Sequence, residues 1–227
     1  MLRYKKGPEP EGLAIARSTP GADWDGPPSG FSRAKIREAL LRDQDGLCAY
    51  CQRRIENYHR DRGGIIDPTD RSTRIEHWHA RSAGGPPFVW ANLLAVCTGL
   101  VEDQSHPDRV PPAPAPQVET CDRARGAQPL FLHPVEPTGP DPRAFLRYRG
   151  QGEIVADDGR AAADVEILNL NASHLKRARM AALDSLVKHL GSDWGPARLR
   201  KLRERVRGTE YREAQWFMID RWLRRGP

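Results

Sequence analysis

Residues 47–55 of this chain read "LCAYCQRRI", so that two residues separate Cys48 from Cys51. The chain has only four cysteines in 227 residues, and the other two are Cys97 and Cys121. A C-x-x-C segment of this kind is typical of a zinc knuckle, a tight turn whose backbone N–H groups point at two thiolates. The sequence therefore predicts a structural site in which the four cysteines bind one zinc ion tetrahedrally.

Other uses of the four cysteines fit the rest of the sequence less well. The first residues, "MLRYKKGPEPEG", have no apolar stretch of the kind found in a secretory signal, so we expect a cytoplasmic protein. A reducing compartment disfavours two disulfides. A redox C-x-x-C is expected in a βαβ setting, which residues 30–70 do not suggest. Four separate buried cysteines remain the alternative to a zinc site.

The composition is polar, with 29% charged and 38% hydrophobic residues, 20 prolines and 20 glycines. So many turn-forming residues predict numerous loops around a modest core. The sequence has no run of about 18 apolar residues, and we expect no membrane span.

The net charge of +6 is unevenly distributed. Residues 171–227 contain 14 Lys and Arg against 6 Asp and Glu, whereas the remainder of the chain is almost balanced. A basic block of this kind is typical of a surface that binds a polyanion such as nucleic acid. A helix face that is merely solvated would carry the same charges, so charge alone leaves both interpretations open.

Local patterns predict the elements on either side of the knuckle. Residues 1–30 are rich in Pro and Gly and predict an extended arm. Residues 31–46, "FSRAKIREALLRDQDG", predict a helix with Ser32 as N-cap and Gly46 at its end. Its apolar face is formed by Ile36, Leu40 and Leu41.

The remaining segments predict a strand hairpin followed by helices. "TRIEHWHARS" (73–82) is typical of a short strand, and "ANLLAVC" (91–97) returns the chain to the third cysteine. Residues 98–120 predict a Pro-rich surface loop, and "RGQGEIVADDG" (149–159) a short β-hairpin. From residue 169 onward the chain is predicted to be helical, with one apolar face formed by Leu175, Ala178, Ala182, Leu186 and Leu190.

The polar landmarks follow one another in a recognisable order: C-A-Y-C (48–51), I-E-H (75–77), W-A-N-L-L-x-x-C (90–97) and C-D-R-A-R-G (121–126). This order resembles that of the HNH nuclease family. The resemblance implies an α+β fold with a ββα-metal core around one catalytic ion and a four-cysteine zinc site. An N-terminal arm and helix and a C-terminal helical region would flank this core.

The resemblance assigns the catalytic residues. His77 matches the general base, and a neutral imidazole can accept a proton from water near pH 7. Glu76 and Asp122 match the two ligands of the catalytic metal, and two carboxylates favour Mg²⁺ or Mn²⁺ over Zn²⁺. Neighbouring residues of a strand point to opposite faces, so a kink or bulge is expected to bring Glu76 and His77 into one site.

Two further residues are assigned in the same way. Asn92 matches an Asn that orients the base through the hairpin turn, and Arg125 stands where the family commonly has a Lys, in position to contact the scissile phosphate. His79 matches no functional position. Trp78 and Trp90 are expected to pack the hairpin rather than to stack on bases.

Each assignment has an ordinary structural alternative. His77 can be a core or surface histidine, and Glu76 a solvated strand carboxylate. Asn92 can be a turn residue, Asp122 the N-cap of a short helix, and Arg125 a solvated arginine. The sequence also departs from the family pattern, because 23 residues separate the last two cysteines where two are usual. Lengthening a surface loop costs only roughly 0.6 kcal/mol per doubling, so the four ligands can still meet.

A narrower resemblance extends over most of the chain. "KGPEPEGL", "GLCAYCQRRI", "IEHWHARS", "WANLLAVC", "CDRARGAQPLFLHPVEP" and "VEILNLNASHLKRAR" look like the HNH subunit of Septu anti-phage systems and related retron-associated nucleases. This implies a complex in which an ABC/SMC-like ATPase partner licenses cutting of DNA. The chain itself has no Walker A loop, so any ATP dependence would come from that partner.

The resemblance also suggests a division of the chain. Residues 1–45 would dock a partner, 46–133 form the nuclease domain, 134–170 connect, and 171–227 form the basic helical region. The competing interpretations are a zinc-containing nucleic-acid-binding module without catalysis and a subunit that only docks on an ATPase. The Glu76–His77 pair favours the nuclease, because a binding module has no need of it.

Overall fold

The computed structural model describes residues 1–55, 58–59, 64–65, 73–102, 117–192 and 194–225. These residues form a mixture of helices and short strands, which confirms the α+β class. Within the described residues, no helix combines the length and the apolar character needed to cross a membrane.

All strands in the described residues pair two by two. They are β1 (Tyr4–Lys5), β2 (Tyr58–His59), β3 (Gly64–Ile65), β4 (Thr73–His77), β5 (Leu93–Cys97), β6 (Leu100–Glu102), β7 (Gln117–Glu119), β8 (Val135–Glu136), β9 (Leu146–Tyr148) and β10 (Ile154–Ala156). The helices are α1 (Glu11–Ser18), α2 (Arg33–Asp43), α3 (Cys121–Arg125), α4 (Pro142–Phe145), α5 (Gly159–Ile167), α6 (Ser173–Leu190), α7 (Pro196–Arg205) and α8 (Arg212–Arg225).

Strands β4 and β5 form the central hairpin of the fold. Its antiparallel register runs from Thr73 opposite Cys97 to His77 opposite Leu93 without interruption. Every residue of β5 is buried, as its continuous apolar sequence predicts. The kink or bulge expected between Glu76 and His77 does not occur in this pairing. His77 occupies the last position of the strand instead, where the chain begins to leave the hairpin.

The knuckle is fixed to this hairpin by helix α2. The Cys48 N–H donates to Arg53 O at 2.9 Å, which closes the turn. At the end of α2, the Gln44 side chain donates to Ala95 O at 2.7 Å and accepts from Ala95 N at 2.9 Å. The same amide donates to Leu47 O. One buried glutamine therefore joins the helix, the knuckle and β5.

Helix α2 confirms the prediction for residues 31–46. The Ser32 hydroxyl accepts from Lys35 N as an N-cap, and Ile36, Leu40 and Leu41 are buried. The extended arm predicted for residues 1–30 is wrong, because this segment forms β1 and α1 and contributes to the core.

A deeply buried arginine explains why the N-terminal segment folds onto the protein. The Arg3 guanidinium donates to His133 O at 2.9 Å and to Val135 O at 3.0 Å. These bonds support the parallel pairing of β1 with β8, and they allow Leu2 and Leu13 to be fully buried. Long-range contacts of this kind override the local preference of Pro and Gly for extended chain.

The C-terminal half confirms the predicted hairpin, as β9–β10, and the helices after residue 169, while α5 was not predicted. The predicted apolar face of α6 is only partly correct. Ala178 and Ala182 are half-buried, and Arg179 and Leu183 take the buried positions. Arg179 can be buried because its guanidinium donates to Gly152 O at 2.5 Å and to Leu170 O at 2.6 Å.

One hydrophobic core contains residues from all four predicted segments of the chain, among them Leu2, Leu94, Leu146 and Leu183. A smaller cluster lies between α6, α7 and α8. The predicted loop 98–120 has its two ends joined as the β6–β7 hairpin. Residues 103–116, which include His106, lie outside the described residues.

Candidate functional site

The four cysteines come together, although they lie far apart in sequence. Their sulfur atoms all lie within 4.8 Å of one another, and Cys97 Sγ is 3.7 Å from Cys121 Sγ. Cys48 Sγ–Cys121 Sγ and Cys51 Sγ–Cys97 Sγ are both 3.9 Å. Tetrahedral zinc with Zn–S bonds of about 2.3 Å requires sulfur atoms about 3.8 Å apart. The cluster can therefore hold a metal ion such as zinc.

Three elements supply the four thiols. The knuckle provides Cys48 and Cys51, the end of β5 provides Cys97, and the start of α3 provides Cys121. Burial raises the pKa of the Cys48 thiol, but hydrogen bonds from the other three thiols outweigh it and hold that pKa well below its ordinary value. Burial raises the pKa of Cys51 well above its ordinary value, and hydrogen bonds from the other three thiols do the same for Cys121. Only a thiolate binds metal, so an ion that enters the cluster must displace the protons of these two thiols.

The second cluster is a pair of carboxylates on the other side of α3. Burial, followed by the hydrogen bond and charge of Asp122, raises the pKa of Glu76 from 4.5 to about 8. The attraction of Arg125 opposes this shift without cancelling it. Two carboxylates that share a proton form a site that a divalent cation can occupy in place of that proton. The oxygen donors fit Mg²⁺ or Mn²⁺.

The two carboxylates remain partly accessible, with 12% of the Glu76 side chain and 15% of the Asp122 side chain exposed. Asp122 is the second residue of α3, and Thr120 occupies the N-cap position, so the N-cap alternative for Asp122 is wrong. Arg74 Nη1 lies 3.0 Å from Asp122 Oδ2. Arg74 was not predicted, although it stands two residues before Glu76 on the same strand face.

Arg125 has a different position from the one expected. Only 1% of its surface is exposed, and Nη1 lies 2.5 Å from Glu76 Oε1. The guanidinium also donates to the backbone oxygens of His77 at 3.1 Å, Trp78 at 2.5 Å and Gln128 at 2.7 Å. It is therefore enclosed in protein and unable to reach a substrate phosphate. Arg125 positions Glu76 and the end of β4 instead.

Tyr50 is a member of the site that sequence reasoning missed. It is completely buried between the two knuckle cysteines, and its hydroxyl donates to Glu76 Oε1 at 3.4 Å. The Tyr50 hydroxyl oxygen also accepts a hydrogen bond from Arg125 Nη1 at 3.2 Å. The tyrosine thus connects the cysteine cluster to the carboxylate pair. The only indication of this role in the sequence is the position of Tyr50 between Cys48 and Cys51.

His77 is held in one tautomer. Its Nε2 lies 3.0 Å from Pro87 O. A carbonyl can only accept a hydrogen bond, so Nε2 carries the proton and Nδ1 keeps its lone pair. Burial lowers the pKa of His77 from 6.5 to about 4, so the ring is neutral at pH 7. The Trp24 ring packs against it edge to face at 4.6 Å, and only 6% of His77 is exposed.

Asn92 stabilises the connection between β4 and β5. Its Oδ1 accepts from His79 N at 2.7 Å, and its Nδ2 donates to Pro86 O at 2.9 Å. The loop is tight, because a Cβ added at Gly85 would lie 1.9 Å from His79 O. This loop carries Pro87, whose carbonyl fixes the His77 ring. Asn92 therefore contacts the loop whose Pro87 carbonyl fixes the His77 ring, and its role in orienting a base stays a prediction.

The other aromatic and histidine side chains lie outside the site. His79 is exposed, and its ring bonds only to Ala83 O at 3.1 Å. Trp78 donates to Leu132 O, and Trp90 donates to Gly7 O. Both tryptophans pack the hairpin as expected. The side chain of His59 lies outside the described residues.

Glu76, Asp122, Arg125 and Tyr50 thus form one contact group, and the charge of Asp122 also acts on His77. Among the described residues, the four-cysteine cluster is the only group of three or more His, Cys, Asp or Glu side chains placed to hold a metal ion. Neither a scan of protein-family models nor a search of curated proteins finds a match to this chain.

Proposed function

We propose that this protein is a metal-dependent endonuclease of the HNH type that hydrolyses phosphodiester bonds, with DNA as its substrate. The observation that supports this best is the arrangement of β4, β5 and α3. Glu76 and Asp122 are in contact there, and the charge of Asp122 reaches His77, whose Nε2 is held by Pro87 O so that Nδ1 keeps its lone pair. A module that only binds nucleic acid has no use for such a histidine.

In this proposal His77 is the general base. Its Nδ1 accepts a proton from a water molecule, the water oxygen bonds to phosphorus, and the bond from phosphorus to the 3′ oxygen breaks. The bond from Nε2 to Pro87 O keeps the acceptor nitrogen in a fixed direction. Asn92 preserves that direction by holding the loop, and Trp24 restricts rotation of the ring.

Glu76 and Asp122 would hold Mg²⁺ or Mn²⁺. Such an ion, when bound, neutralises charge on the phosphate and stabilises the leaving oxygen. Arg125 and Tyr50 keep Glu76 in place through its Oε1 atom. In the same proposal, Cys48, Cys51, Cys97 and Cys121 hold a structural zinc ion that fixes α3 against β5.

The wider assignment concerns the biological setting. We include in the proposal an ABC/SMC-like ATPase partner and a role as the effector nuclease of an anti-phage defence system. Its support is the sequence resemblance of the segments before and after the nuclease core. Co-purification of the chain with a co-expressed ATPase, followed by cleavage assays with and without ATP, tests this part independently of the catalytic residues.

The catalytic proposal is tested by comparing His77→Ala with His79→Ala in a plasmid-nicking assay containing Mg²⁺. Removing a general base typically lowers the rate by about 10²–10⁴-fold, and we expect a loss of that size for His77→Ala. His79→Ala should cut at the wild-type rate, because its exposed ring contacts only the adjacent loop. Where the free chain does not cut, the comparison is made in the complex with the ATPase.

Zinc content and thermal melting of both variants show whether they remain folded. Wild-type cleavage by a folded His77→Ala protein would refute the assignment of the base. Binding of DNA without any cleavage by the wild-type complex would favour the alternative of a non-catalytic nucleic-acid-binding subunit.

A further inference from the structure

A cavity of about 450 Å³ opens beside the carboxylate pair, between helix α2, strand β4 and helix α3. Four arginines line it: Arg33, Arg37, Arg74 and Arg123. No acidic residue is among the described residues of its wall. We name this feature the arginine cavity.

The arginine cavity adjoins the proposed catalytic residues at three points. Arg74 contacts Asp122 at 3.0 Å, and Arg123 follows Asp122 directly on α3. On the opposite wall, Trp24 packs on the ring of His77 at 4.6 Å. The wall of the cavity therefore contacts the carboxylate Asp122 through Arg74 and the ring of His77 through Trp24.

Three arginines of the cavity, Arg33, Arg74 and Arg123, keep donors for an anionic ligand. Arg123 pairs with Glu119, but these side chains are 46% and 50% exposed, and an exposed pair of this kind is weak. Arg74 is 47% exposed even though it contacts Asp122. Arg33 is exposed and donates to the Trp24 carbonyl. A guanidinium retains several donors after one such contact, so it can still bind a phosphate.

The basic C-terminal region offers a useful contrast. A cavity of about 350 Å³ between β9 and α8 also contains arginines, but carboxylates compensate them. Arg143 pairs with the buried Glu213 at 2.7 Å, and Arg203 pairs with Asp220 at 2.9 Å. Carboxylates within the fold therefore neutralise part of the positive charge that the sequence of this region carries. Glu213 and Asp220 belong to the wall of this second cavity, whereas no described residue in the wall of the arginine cavity is acidic.

We propose that the arginine cavity binds the sugar-phosphate backbone of the nucleic acid and guides a phosphate to Glu76 and Asp122. This inference rests on the proposed nuclease function and adds to it the surface that holds the substrate. Trp24, the one aromatic side chain among the described residues of the wall, is only 7% exposed and packs on His77, so it offers no surface for base stacking. The cavity therefore recognises charge and not base sequence.

The test measures binding of fluorescein-labelled nucleic acids to the His77→Ala protein, so that cleavage does not interfere. Arg33→Ala/Arg123→Ala is compared with Arg177→Ala/Arg200→Ala, which removes the same charge from exposed positions on α6 and α7. Duplex DNA, single-stranded DNA and duplex RNA of one sequence are titrated from 50 to 200 mM salt. Comparing the three affinities shows which kind of nucleic acid supplies the bound backbone.

Each phosphate contact contributes about 0.9 to the slope of log affinity against log salt for duplex DNA. Loss of two contacts should lower this slope by about 2 and weaken binding at least about tenfold. The control pair should leave the slope unchanged. Equal slopes for the two double variants would overturn the inference, as would a larger loss for the control pair. Circular dichroism and zinc content establish that each variant is folded.

The binding result and the cleavage result are independent. For cleavage, the Arg33→Ala/Arg123→Ala pair is also made with His77 intact. If wild-type protein cuts DNA and this pair leaves both binding and cleavage normal, the arginine cavity is not the substrate surface and the nuclease proposal stands. If the variant loses salt-dependent binding but wild-type protein never cuts, the surface is correct and the nuclease proposal fails.

Discussion

Helix α3 contributes one residue to each of two side-chain clusters, four thiols and two carboxylates, that differ in burial and in ligand chemistry. Cys121, its first residue, belongs to a cluster of four thiols with at most 2% exposure. Asp122, its second residue, belongs to a carboxylate pair whose side chains are 12% and 15% exposed. Two consecutive residues thus belong to different sites. We call the buried thiol cluster the closed site and the partly exposed carboxylate pair the open site.

In the proposed function, one cluster holds a structural ion and the other a catalytic ion. Four buried thiols leave a bound ion no free position, which is typical of structural zinc. Two carboxylates leave most positions of a divalent ion to water and substrate, which is typical of a catalytic ion. Because α3 carries a residue of each cluster, the closed site fixes the helix and so determines where Asp122 lies relative to Glu76.

The largest expected effect comes from breaking the closed site. Cys121→Ser should abolish zinc binding and unfold the hairpin together with α3, because structural zinc in small domains contributes about 10–16 kcal/mol of folding free energy. Elemental analysis and thermal melting measure the two consequences. Asp122→Asn provides the comparison from the neighbouring position of the helix, and it should keep its zinc and its melting temperature. Wild-type melting of a zinc-free Cys121→Ser protein would show that the cysteine cluster does not support the fold.

An intermediate effect is expected at Arg125, which joins the carboxylate pair to the backbone of β4. Arg125→Met leaves Glu76 and the carbonyls of His77 and Trp78 without their buried donor. Removing one partner of a buried ion pair typically costs about 3–5 kcal/mol of folding free energy. Urea unfolding of the zinc-loaded protein measures this cost.

Arg123→Met is the control for that measurement, because Arg123 lies on the same helix in an exposed pair and should change stability by at most about 1 kcal/mol. A stable Arg125→Met protein that has lost only its cleavage activity would restore the role of Arg125 at the substrate phosphate and would contradict its positioning role.

Sequence reasoning located the cysteine cluster more reliably than the details of the carboxylate site. Only four cysteines exist, and a buried tetrahedral site leaves few alternatives. The strand β4, the return β5 and the helix α2 were also predictable, because periodicity and capping residues are local signals. Glu76 and Asp122 meet as expected, although burial and not motif spacing sets the raised pKa of Glu76.

The incorrect predictions have a common physical cause. The side chains concerned form hydrogen bonds with backbone groups that are distant in the sequence. Arg125 and Arg179 look like solvated helix residues in the sequence, yet both are buried because carbonyls from other segments surround their guanidinium groups. Residues 1–30 look extended for the same reason, since Arg3 and Leu2 find their partners more than 40 residues away. No local pattern contains this information.

The smallest expected effect concerns the pH dependence of the open site. Since the folded pKa of Glu76 is about 8 and its ordinary value is 4.5, the metal-free protein loses stability as pH rises from 4.5 through 8, where Glu76 must give up its proton. A divalent ion competes with that proton. The apparent affinity for Mg²⁺ should therefore rise up to about tenfold for each pH unit between 6 and 8 and then level off.

Isothermal titration calorimetry of the zinc-loaded protein measures this effect, and buffers of different ionisation enthalpy count the released proton. His77 contributes no change, because its pKa of about 4 leaves it neutral throughout this range.

Glu76→Gln is the control variant, since it should bind Mg²⁺ weakly and without proton release. An affinity of the wild-type protein that is the same at pH 6 and pH 8 would mean that Mg²⁺ does not displace the proton of Glu76, and the open site would then lose its role as a cation site. Zinc binding at the closed site, where the four thiols are the ligands, should be the same in Glu76→Gln as in wild type.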